Sequence, residues 1–227
     1  MSASSLPANK TIYFGYGSNL WLHQMSQRCP TAQYLGVARL TGYKWIISAR
    51  GYANIVETQR SQQPEEAKQP DRENQPSSTY DAVVFGLVYS LEPSDEANLD
   101  RNEGVPIAYT KEYLPCDFWP AGARADSLRW HRAVDGERDR GGKVDMLVYI
   151  DRERVGEGDA REEYVYRMNR GVDDAVRMGV PGGYVVEVIR RFIREDGEVD
   201  GESVGHGEAK EWAEKQARGF RDESGVF

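Results

Sequence analysis

The sequence predicts an α+β fold, built as a small mixed β-barrel flanked by helices. Three observations favour this fold class. The chain has many strand-like segments, few helix-like segments separate them, and the two kinds follow no regular βαβ order. With 227 residues, the chain is long enough to bury a sizeable core and is most economically one domain with decorations.

The predicted strands are segments rich in β-branched and aromatic residues, bounded by turn-forming residues. In order they are Thr11 to Gly15, Tyr34 to Leu40, Tyr43 to Ile47, Ala53 to Glu57, Ala82 to Leu91, Tyr109 to Phe118 and Val144 to Ile150. Helices are predicted after Asn19, over about Ser94 to Asn102 and about Gly158 to Met178, and from Gly182 to Arg194. Gly179 and Pro181 form a stop signal at the end of the third helix.

Two segments differ in composition from the rest and are predicted to lie outside the core. Residues 59–79 contain three prolines and no large apolar residue, which indicates a long mobile surface insertion. Residues 195–227 read as an acidic, glycine-rich linker and a polar helix from about Glu208 to Arg218, with Trp212 as its docking residue. The domain itself is therefore predicted to span residues 11–194.

The charge balance limits the classes of partner. The chain carries 37 Asp and Glu residues against 29 Lys and Arg residues, a formal net charge of -8. This argues against binding to nucleic acid or to anionic membranes, which needs clustered positive charge. No apolar run approaches the roughly 20 residues of a membrane span, and residues 1–10 lack the apolar segment of a secretory signal. We therefore expect a cytoplasmic protein whose partner is a small molecule or another protein.

The chain offers little to hold a metal ion or a disulfide framework. Its two cysteines, Cys29 and Cys116, are too few for a structural zinc site, so free thiols are expected. Its three histidines, His23, His131 and His206, are scattered without a metal-ligand spacing. We assign no metal and no cofactor.

The segment from Tyr13 to Leu20 is the most informative in the chain, because an apolar strand leads into two glycines and a candidate helix cap. Gly15 and Gly17 are able to adopt dihedrals closed to other residues, and Ser18 or Asn19 is expected to cap the following helix. Backbone N–H groups would then converge on one point. Such a point suits a substrate carboxylate or a carbonyl oxygen that gains negative charge. A tight strand-to-helix turn without a ligand is the alternative.

A carboxylate occupies an unfavourable position at the end of the second helix. Gly104 suits the left-handed position after a helix end. Glu103 then lies at the negative end of the helix macrodipole, at a cost of about 0.3 to 1 kcal/mol. An exposed Glu that tolerates this cost is the simpler interpretation. If Glu103 faces an apolar pocket, burial and the dipole both raise its pKa towards a range useful for general acid/base chemistry. That interpretation requires Glu103 and the early glycine turn to border one cavity.

With these two segments, the chain resembles the γ-glutamylcyclotransferase family. The likeness covers most of residues 11–194 and leaves out the 59–79 insertion and the C-terminal extension. The matching residues are Tyr13-Phe14-Gly15-Tyr16-Gly17-Ser18-Asn19-Leu20, Val37-Ala38-Arg39-Leu40, Val84-Phe85-Gly86-Leu87-Val88-Tyr89, and Leu99 to Val105 with Tyr109 after it. A weaker match continues through Tyr164, Gly171 and Gly179-Val180-Pro181.

The resemblance implies a small-molecule γ-glutamyl substrate and gives roles to residues of this chain. Family members use the Glu of the Glu-Gly pair as the acid/base, so Glu103 is the expected catalytic residue. The strand and turn bind the γ-glutamyl group, and here they supply Tyr13, Phe14, Gly15, Tyr16, Gly17 and Ser18. A tyrosine of a later helix also contacts substrate in some members, and Tyr164 is its expected equivalent, with Tyr166 as the second choice. Packing of Tyr164 against Met168, one helical turn later, is the structural alternative.

The implied reaction is the cyclisation of a γ-glutamyl amide to 5-oxoproline. The substrate's own α-amine attacks its γ-carbonyl and the other amine leaves, so no protein nucleophile and no cofactor are required. The amine portion stays open among amino acids, amines, glutathione and its conjugates. Two alternatives remain: a γ-glutamylamine-specific cyclotransferase of related fold, and a non-catalytic module of the same fold that binds γ-glutamyl compounds or proteins.

Overall fold

The computed structural model describes residues 10–58, 79–122, 142–196 and 205–219. Within these ranges the strands are β1 (Thr11–Gly15), β2 (Gln33–Thr41), β3 (Tyr43–Ile47), β4 (Ala53–Glu57), β5 (Val83–Leu91), β6 (Thr110–Pro120) and β7 (Gly142–Ile150). The helices are α1 (Leu22–Arg28), α2 (Pro93–Asn102), α3 (Glu162–Met178), α4 (Gly182–Glu187) and α5 (Gly205–Arg218), with 3₁₀ turns at Ser18–Leu20 and Ile189–Arg191. The predicted bounds of β1, β3 and β4 are confirmed, and those of the other strands differ by at most two residues at either end.

Five of the described strands close into a barrel in the order β1-β5-β2-β6-β7, while β3 and β4 form a separate hairpin sheet. β1 pairs with β5 antiparallel and with β7 parallel, whereas the other barrel neighbours are antiparallel. This confirms the predicted α+β class and the mixed barrel. The register places Tyr13 of β1 opposite Tyr89 of β5 and beside Leu147 of β7. The turn that follows β1 is therefore anchored from both sides.

The core fills the barrel and continues under the helices. Phe14, Leu87 and Leu147 from the barrel strands are fully shielded from solvent, as is Met168 of α3. All four belong to one apolar cluster, which extends to Leu20 in the turn after β1. Because α3 packs against that turn and against β5, it fixes the position of the turn over the end of the barrel.

Two helix predictions are wrong in their bounds. The helix expected from Gly158 begins at Glu162, because the Gly158 and Arg161 N–H groups donate to Ile47 O and Gly51 O instead of entering a helix. The helix expected from Gly182 to Arg194 is interrupted at Val188 and continues only as a 3₁₀ turn. This segment is rich in Val and Ile, whose branched side chains lower helix propensity. Among the described helices, none is both long and apolar enough to cross a membrane.

The C-terminal helix packs onto the barrel domain. α5 contacts α1 and α3, and the buried side chains among its residues 210–218 are Ala213, Gln216 and Ala217. Trp212, the expected docking residue, is partly buried, and its ring lies under Lys215 Nζ at 4.5 Å. Small side chains permit the closer helix approach. The predicted mobile insertion at 59–79, apart from Thr79, and the linker residues 197–204 lie outside the described residues.

Candidate active site

A narrow cavity opens where the turn after β1 meets the end of α2 and the start of α3. The space between the protein atoms, including the open mouth, is about 470 Å³. The centre of a water molecule can occupy about 50 Å³ of it. Several sequence-predicted residues line it, namely Tyr13, Tyr16, Gly17, Ser18, Glu103 and Tyr164. The candidate acid and the early turn therefore border one cavity, as the sequence-based interpretation required.

Two predicted residues lie behind the cavity rather than in its lining. Phe14 is fully buried in the core and contacts Tyr16, with their ring centroids 6.3 Å apart. Gly15 ends β1 opposite Leu87 of β5. The position of Phe14 follows from strand geometry, because Tyr13 faces the cavity and successive side chains point to opposite faces.

Glu103 is fixed at the C-terminal end of α2. Its N–H donates to Leu99 O at 2.7 Å, which continues the helical hydrogen-bond pattern. The next residue, Gly104, has φ = +64°, the left-handed conformation predicted for it. The chain leaves the helix there, and the Glu103 carboxylate Oε1 accepts a hydrogen bond from Asn19 Nδ2 at 3.1 Å. This bond joins the end of α2 to the turn after β1.

Burial raises the pKa of Glu103 above its ordinary value. The positive charge of Arg28 and the hydrogen bond from Asn19 oppose this effect, as do the charges of Arg50 and Arg167, but burial prevails. The carboxyl group is therefore closer than an exposed Glu to the balance between its two protonation states at neutral pH. A group that both accepts and donates a proton works best near that balance.

Asn19 is a binding partner of the acid and not a helix cap, contrary to the sequence-based expectation. Its Nδ2 donates to Tyr13 Oη at 2.8 Å as well as to Glu103. Neither Ser18 nor Asn19 makes a side-chain cap; the first N–H of α1, on Leu22, donates instead to Asp174 Oδ2 at 2.8 Å. Local propensity favours Asn at a helix start, but here a carboxylate 84 residues away takes its amide.

Gly17 is required by close approach. Neither Gly15 nor Gly17 has a positive φ, but Gly17, with φ = -107° and ψ = -142°, lies in neither the helical nor the extended region. A Cβ on Gly17 would lie 2.9 Å from Tyr164 Oη and 3.2 Å from Ala53 Cβ. Tyr164 Oη accepts hydrogen bonds from the N–H groups of Ser18 and Ala53, each at 3.2 Å. Tyr164 thus joins the turn to β4 at the cavity wall.

The cavity tyrosines stay protonated at neutral pH. Burial raises the pKa of Tyr164 to about 12, and it raises those of Tyr13, Tyr16 and Tyr109 well above the ordinary value. Two of these hydroxyls donate to backbone carbonyls: Tyr16 Oη to Tyr149 O at 2.6 Å, and Tyr109 Oη to Ala53 O at 2.8 Å. By contrast, Tyr13 Oη and Tyr164 Oη accept the hydrogen bonds described above.

Sequence reasoning missed a buried arginine in the cavity wall. The side chain of Arg167 is 1% exposed, and its guanidinium pairs with Glu163, with Nε 2.8 Å from Oε2. It also donates to Ser18 Oγ at 3.0 Å and to Gln24 Oε1 at 3.2 Å. The i, i+4 spacing of Glu163 and Arg167 is visible in the sequence, but it is typical of exposed helix faces as well. Burial becomes evident only in the fold.

A second missed arginine links the cavity to the C-terminal helix. Arg28, at the end of α1, donates to Gln216 O at 2.8 Å and to Ala217 O at 3.1 Å, so it caps the C-terminal end of α5. The same guanidinium donates to Asn19 Oδ1 at 3.2 Å. Because Asn19 in turn bonds Glu103, the last helix is connected to the candidate acid through two side chains.

Of the two tyrosines considered on α3, Tyr164 lines the cavity and Tyr166 does not. Tyr166 packs edge-on against Trp21, with ring centroids 6.3 Å apart, and under Arg170. Helical geometry separates the two, since residues at i and i+2 do not share a face.

Cys29 and Cys116 are buried free thiols, as expected. His23 faces Glu214 of α5, with Nε2 3.4 Å from Oε2. Within the part of the chain that the structure describes, no three His, Cys, Asp or Glu side chains are grouped so that they could hold a metal ion.

Comparisons with known proteins bear on the fold. No protein-family model matches the sequence, and no curated protein matches it. A solved structure of γ-glutamyl cyclotransferase matches with a TM-score of 0.57 at 18% identity, over 91% of this chain and 99% of that chain. The structure of an uncharacterized protein from Homo sapiens matches with a TM-score of 0.56 at 18% identity, over 90% and 98%. Both likenesses cover nearly the whole of each neighbour, and this chain therefore has the γ-glutamyl cyclotransferase fold.

Proposed function

We propose that this protein cyclises a γ-glutamyl amide to 5-oxoproline, with Glu103 as the single acid/base. One observation carries the proposal: a half-buried carboxyl group with a raised pKa lines a narrow cavity and accepts a hydrogen bond from Asn19, in the glycine turn that the resemblance assigns to substrate binding. The fold is that of a γ-glutamyl cyclotransferase, which makes the same chemistry accessible.

The reaction needs proton transfer and no protein nucleophile. The substrate's α-ammonium loses a proton to Glu103, and the free amine attacks the γ-carbonyl carbon to form the five-membered ring. The bond from that carbon to the other nitrogen then breaks as Glu103 returns the proton to the departing nitrogen. The ring nitrogen still carries a second proton, which it gives up to the Glu103 carboxylate or to the released amine. General acid/base catalysis of this kind typically contributes about 10² to 10⁴ in rate.

The raised pKa of Glu103 suits both halves of this cycle. A carboxylate with an ordinary pKa accepts a proton from an ammonium group weakly, because the difference in basicity is large. Burial reduces that difference. Proton return to the leaving nitrogen stays easy, since the carboxylic acid remains a stronger acid than the ammonium product.

The turn and the tyrosines would bind the γ-glutamyl group. The Tyr13 and Tyr164 hydroxyls accept hydrogen bonds from the protein and so keep a proton to donate to a substrate oxygen. Both the α-carboxylate and the oxyanion of the tetrahedral intermediate suit such donors. Gly17 and Ser18 allow the substrate to approach the backbone, while Tyr16 forms the wall beside them. Phe14 and Gly15 support the turn from behind.

The test is direct detection of 5-oxoproline by mass spectrometry. Wild-type protein is incubated with γ-glutamyl-alanine, γ-glutamyl-lysine, glutathione and a glutathione conjugate. Glu103→Gln should fold normally, retain ligand binding and lose about 10² to 10⁴ in turnover. Glu153→Gln is the matched control, because its side chain is 81% exposed. Near-normal turnover by Glu103→Gln would remove this residue from the mechanism.

The same measurement separates the competing functions. Ligand binding without 5-oxoproline release from any compound would support the non-catalytic module. Faster release from γ-glutamyl-lysine, linked through its ε-amine, than from γ-glutamyl-alanine would support a γ-glutamylamine-specific enzyme.

A further inference from the structure

Two buried amide side chains, those of Asn19 and Gln24, connect two arginines to the candidate acid. Arg167 Nη1 donates to Gln24 Oε1 at 3.2 Å, and Gln24 Nε2 donates to Asn19 Oδ1 at 2.8 Å. Arg28 Nη1 donates to the same Asn19 oxygen at 3.2 Å. Asn19 Nδ2 in turn donates to Glu103 Oε1 at 3.1 Å. Hydrogen bonds therefore lead from both guanidinium groups to the carboxyl group of Glu103.

The two arginines fix the direction of these hydrogen bonds. The oxygen and the nitrogen of an amide side chain exchange places when the amide flips, and the hydrogen-bond partners decide between the two orientations. A guanidinium group has donors and no acceptor, so the Gln24 atom that faces Arg167 must be the oxygen. For the same reason, the Asn19 atom that faces Arg28 must be the oxygen. The Asn19 nitrogen therefore faces Glu103, to which it donates and from which it accepts nothing.

The amide of Asn19 has no unused hydrogen-bonding capacity. Its oxygen accepts from Gln24 and Arg28, and its nitrogen donates to Glu103 Oε1 and to Tyr13 Oη. Two accepted and two donated bonds are the full capacity of such a group. A flip would place donor against donor at the arginine, and buried polar groups without partners are costly. Asn19 therefore presents Glu103 with a donor of fixed position.

This fixed donor distinguishes the two oxygens of the Glu103 carboxyl group. Oε1 accepts from Asn19, whereas Oε2 forms no hydrogen bond with any of the described residues. When Glu103 is protonated, the proton favours Oε2, because the carbonyl oxygen of a carboxylic acid accepts a hydrogen bond better than its hydroxyl oxygen does. One oxygen is thus bound to the protein, and the other is available to a substrate.

We propose that Asn19 is a positioning residue that binds Oε1 of Glu103 and directs proton exchange with the substrate to Oε2. Asn19 acts through Glu103, and Arg28 and Gln24 act through Asn19 by fixing its amide. This inference rests on the proposed function and adds to it the oxygen atom of the acid/base that exchanges the proton.

Infrared difference spectroscopy of the full-length protein tests which oxygen carries the proton. The C=O stretch of protonated Glu103 is obtained from spectra recorded above and below its pKa, and it is identified by its absence from Glu103→Gln. A hydrogen bond to a carbonyl oxygen lowers the frequency of the C=O stretch. The stretch should therefore move to higher frequency in Asn19→Leu, in which a branched apolar side chain replaces the donor and excludes water from its place.

The pH profile of 5-oxoproline release supplies a second measurement. The hydrogen bond from Asn19 favours the ionised form of Glu103. Its loss in Asn19→Leu should move the acid limb of kcat/KM to higher pH by about one unit. Asn19→Asp should move the limb further, because it keeps the oxygen that faces Gln24 and Arg28 but places a second carboxyl group against Glu103. Other charged groups act on Glu103 and stay unchanged in both variants, namely Arg28, Arg50 and Arg167.

Asn169→Leu is the matched control, because Asn169 is also a buried amide held by an arginine. Its Nδ2 donates to Val165 O at 3.1 Å, and its Oδ1 accepts from Arg190 Nη1 at 2.6 Å. Asn169 does not line the catalytic cavity. This variant should lose stability, as Asn19→Leu does, but the acid limb and the C=O frequency of Glu103 should not move.

The partners of Asn19 keep other hydrogen bonds in its variants, which should therefore fold. Gln24 Nε2 also donates to Ser18 Oγ, and Arg28 also donates to two carbonyl groups of α5. If Asn19→Leu is nevertheless not folded, Asn19→Asp supplies the pH measurement, because it removes only the donor.

Either of two results would overturn the inference while the proposed function stands: an acid limb that stays in place in the Asn19 variants, or a C=O frequency of Glu103 that is the same in Asn19→Leu and in the wild type. Absence of 5-oxoproline from every γ-glutamyl compound would instead refute the proposed function. The infrared measurement needs no substrate and would still decide which oxygen Asn19 binds.

Discussion

Arginine side chains are held differently in the candidate active site and in a second cavity, which lies among the C-terminal ends of α1, α2 and α5. In the candidate active site, Arg167 is fixed by Glu163, and Arg28 is fixed by backbone carbonyls and Asn19. In the second cavity, Arg101 and Arg218 have no carboxylate partner among the described residues. The arginines of the first region are paired within the protein, whereas those of the second are exposed and have no described carboxylate partner. Changes in the first region should therefore affect folding and chemistry, and changes at the exposed arginines should leave the free energy of unfolding nearly unchanged.

Among changes to the candidate active site, Arg167→Met should cause the largest loss of stability. This change leaves the Glu163 carboxylate buried without its partner, so the free energy of unfolding in urea should fall by about 3 to 5 kcal/mol. Removal of both charges in Glu163→Gln/Arg167→Met should restore most of the loss. Arg101→Met, from the second region, should stay within about 0.5 kcal/mol of wild type. Similar losses for the two single variants would erase the distinction between the cavities.

A smaller effect is expected from Gly17→Ala, which crowds the turn. The new methyl group would lie 2.9 Å from Tyr164 Oη, and overpacking of this kind costs about 1 to 3 kcal/mol. We expect a lower melting temperature and a raised KM for the γ-glutamyl substrate. Gly15→Ala is the matched control, because its methyl group would find neighbours at 3.4 Å or beyond. Tyr164→Phe should relieve part of the Gly17→Ala defect; an unchanged defect in the double variant would show that crowding at Oη is not the cause.

The pH dependence of stability gives a third measurement. The folded-state pKa of Glu103 is raised, so its stabilising contribution is complete below its unfolded-state pKa and is lost as pH rises through the folded-state value. The amide of the Glu103→Gln variant does not ionise. The stability advantage of this variant over wild type should therefore grow with pH through that window, by about 1.4 kcal/mol for each unit of pKa difference. Chemical denaturation across pH measures it, and a constant difference would contradict a raised pKa.

The smallest expected change is a shift in a pH profile. Arg28 lowers the pKa of Glu103, so Arg28→Met should raise it further. If ionised Glu103 accepts the substrate proton, kcat/KM falls at acid pH as the carboxylate becomes protonated. That acid limb should move to higher pH in Arg28→Met, whereas it should not move in Arg218→Met. If the acid limb moved in both variants, Arg218 as well as Arg28 would influence the pKa of Glu103, contrary to this prediction.

Local sequence patterns predicted the strands well because each strand contains its own signal. β1, β3 and β4 combine β-branched and aromatic residues with turn residues at both ends, and their bounds are confirmed. The helix end at Glu103 and the left-handed conformation of Gly104 were also predicted, because these two residues are adjacent in sequence. These features depend on contacts over a few residues.

The missed features depend on partners distant in sequence. Asn19 carries the signal of a helix cap, yet Tyr13 and a carboxylate 84 residues later take its amide. Arg167 bonds Ser18, which lies 149 residues earlier, and Arg28 bonds Ala217, which lies 189 residues later. Nothing in the neighbourhood of these residues distinguishes a buried arginine from an exposed one. Only the packing of α3 and α5 around the turn does so.

The capping of α5 by Arg28 has an evolutionary consequence. Two main-chain oxygens near the end of the protein orient a guanidinium that reaches, by way of one amide side chain, the group expected to move protons. Because backbone atoms hold that guanidinium, substitutions that move the last helix can shift Arg28 without replacing any residue that lines the candidate active site. The pKa of Glu103 would then depend on the position of the C-terminal helix.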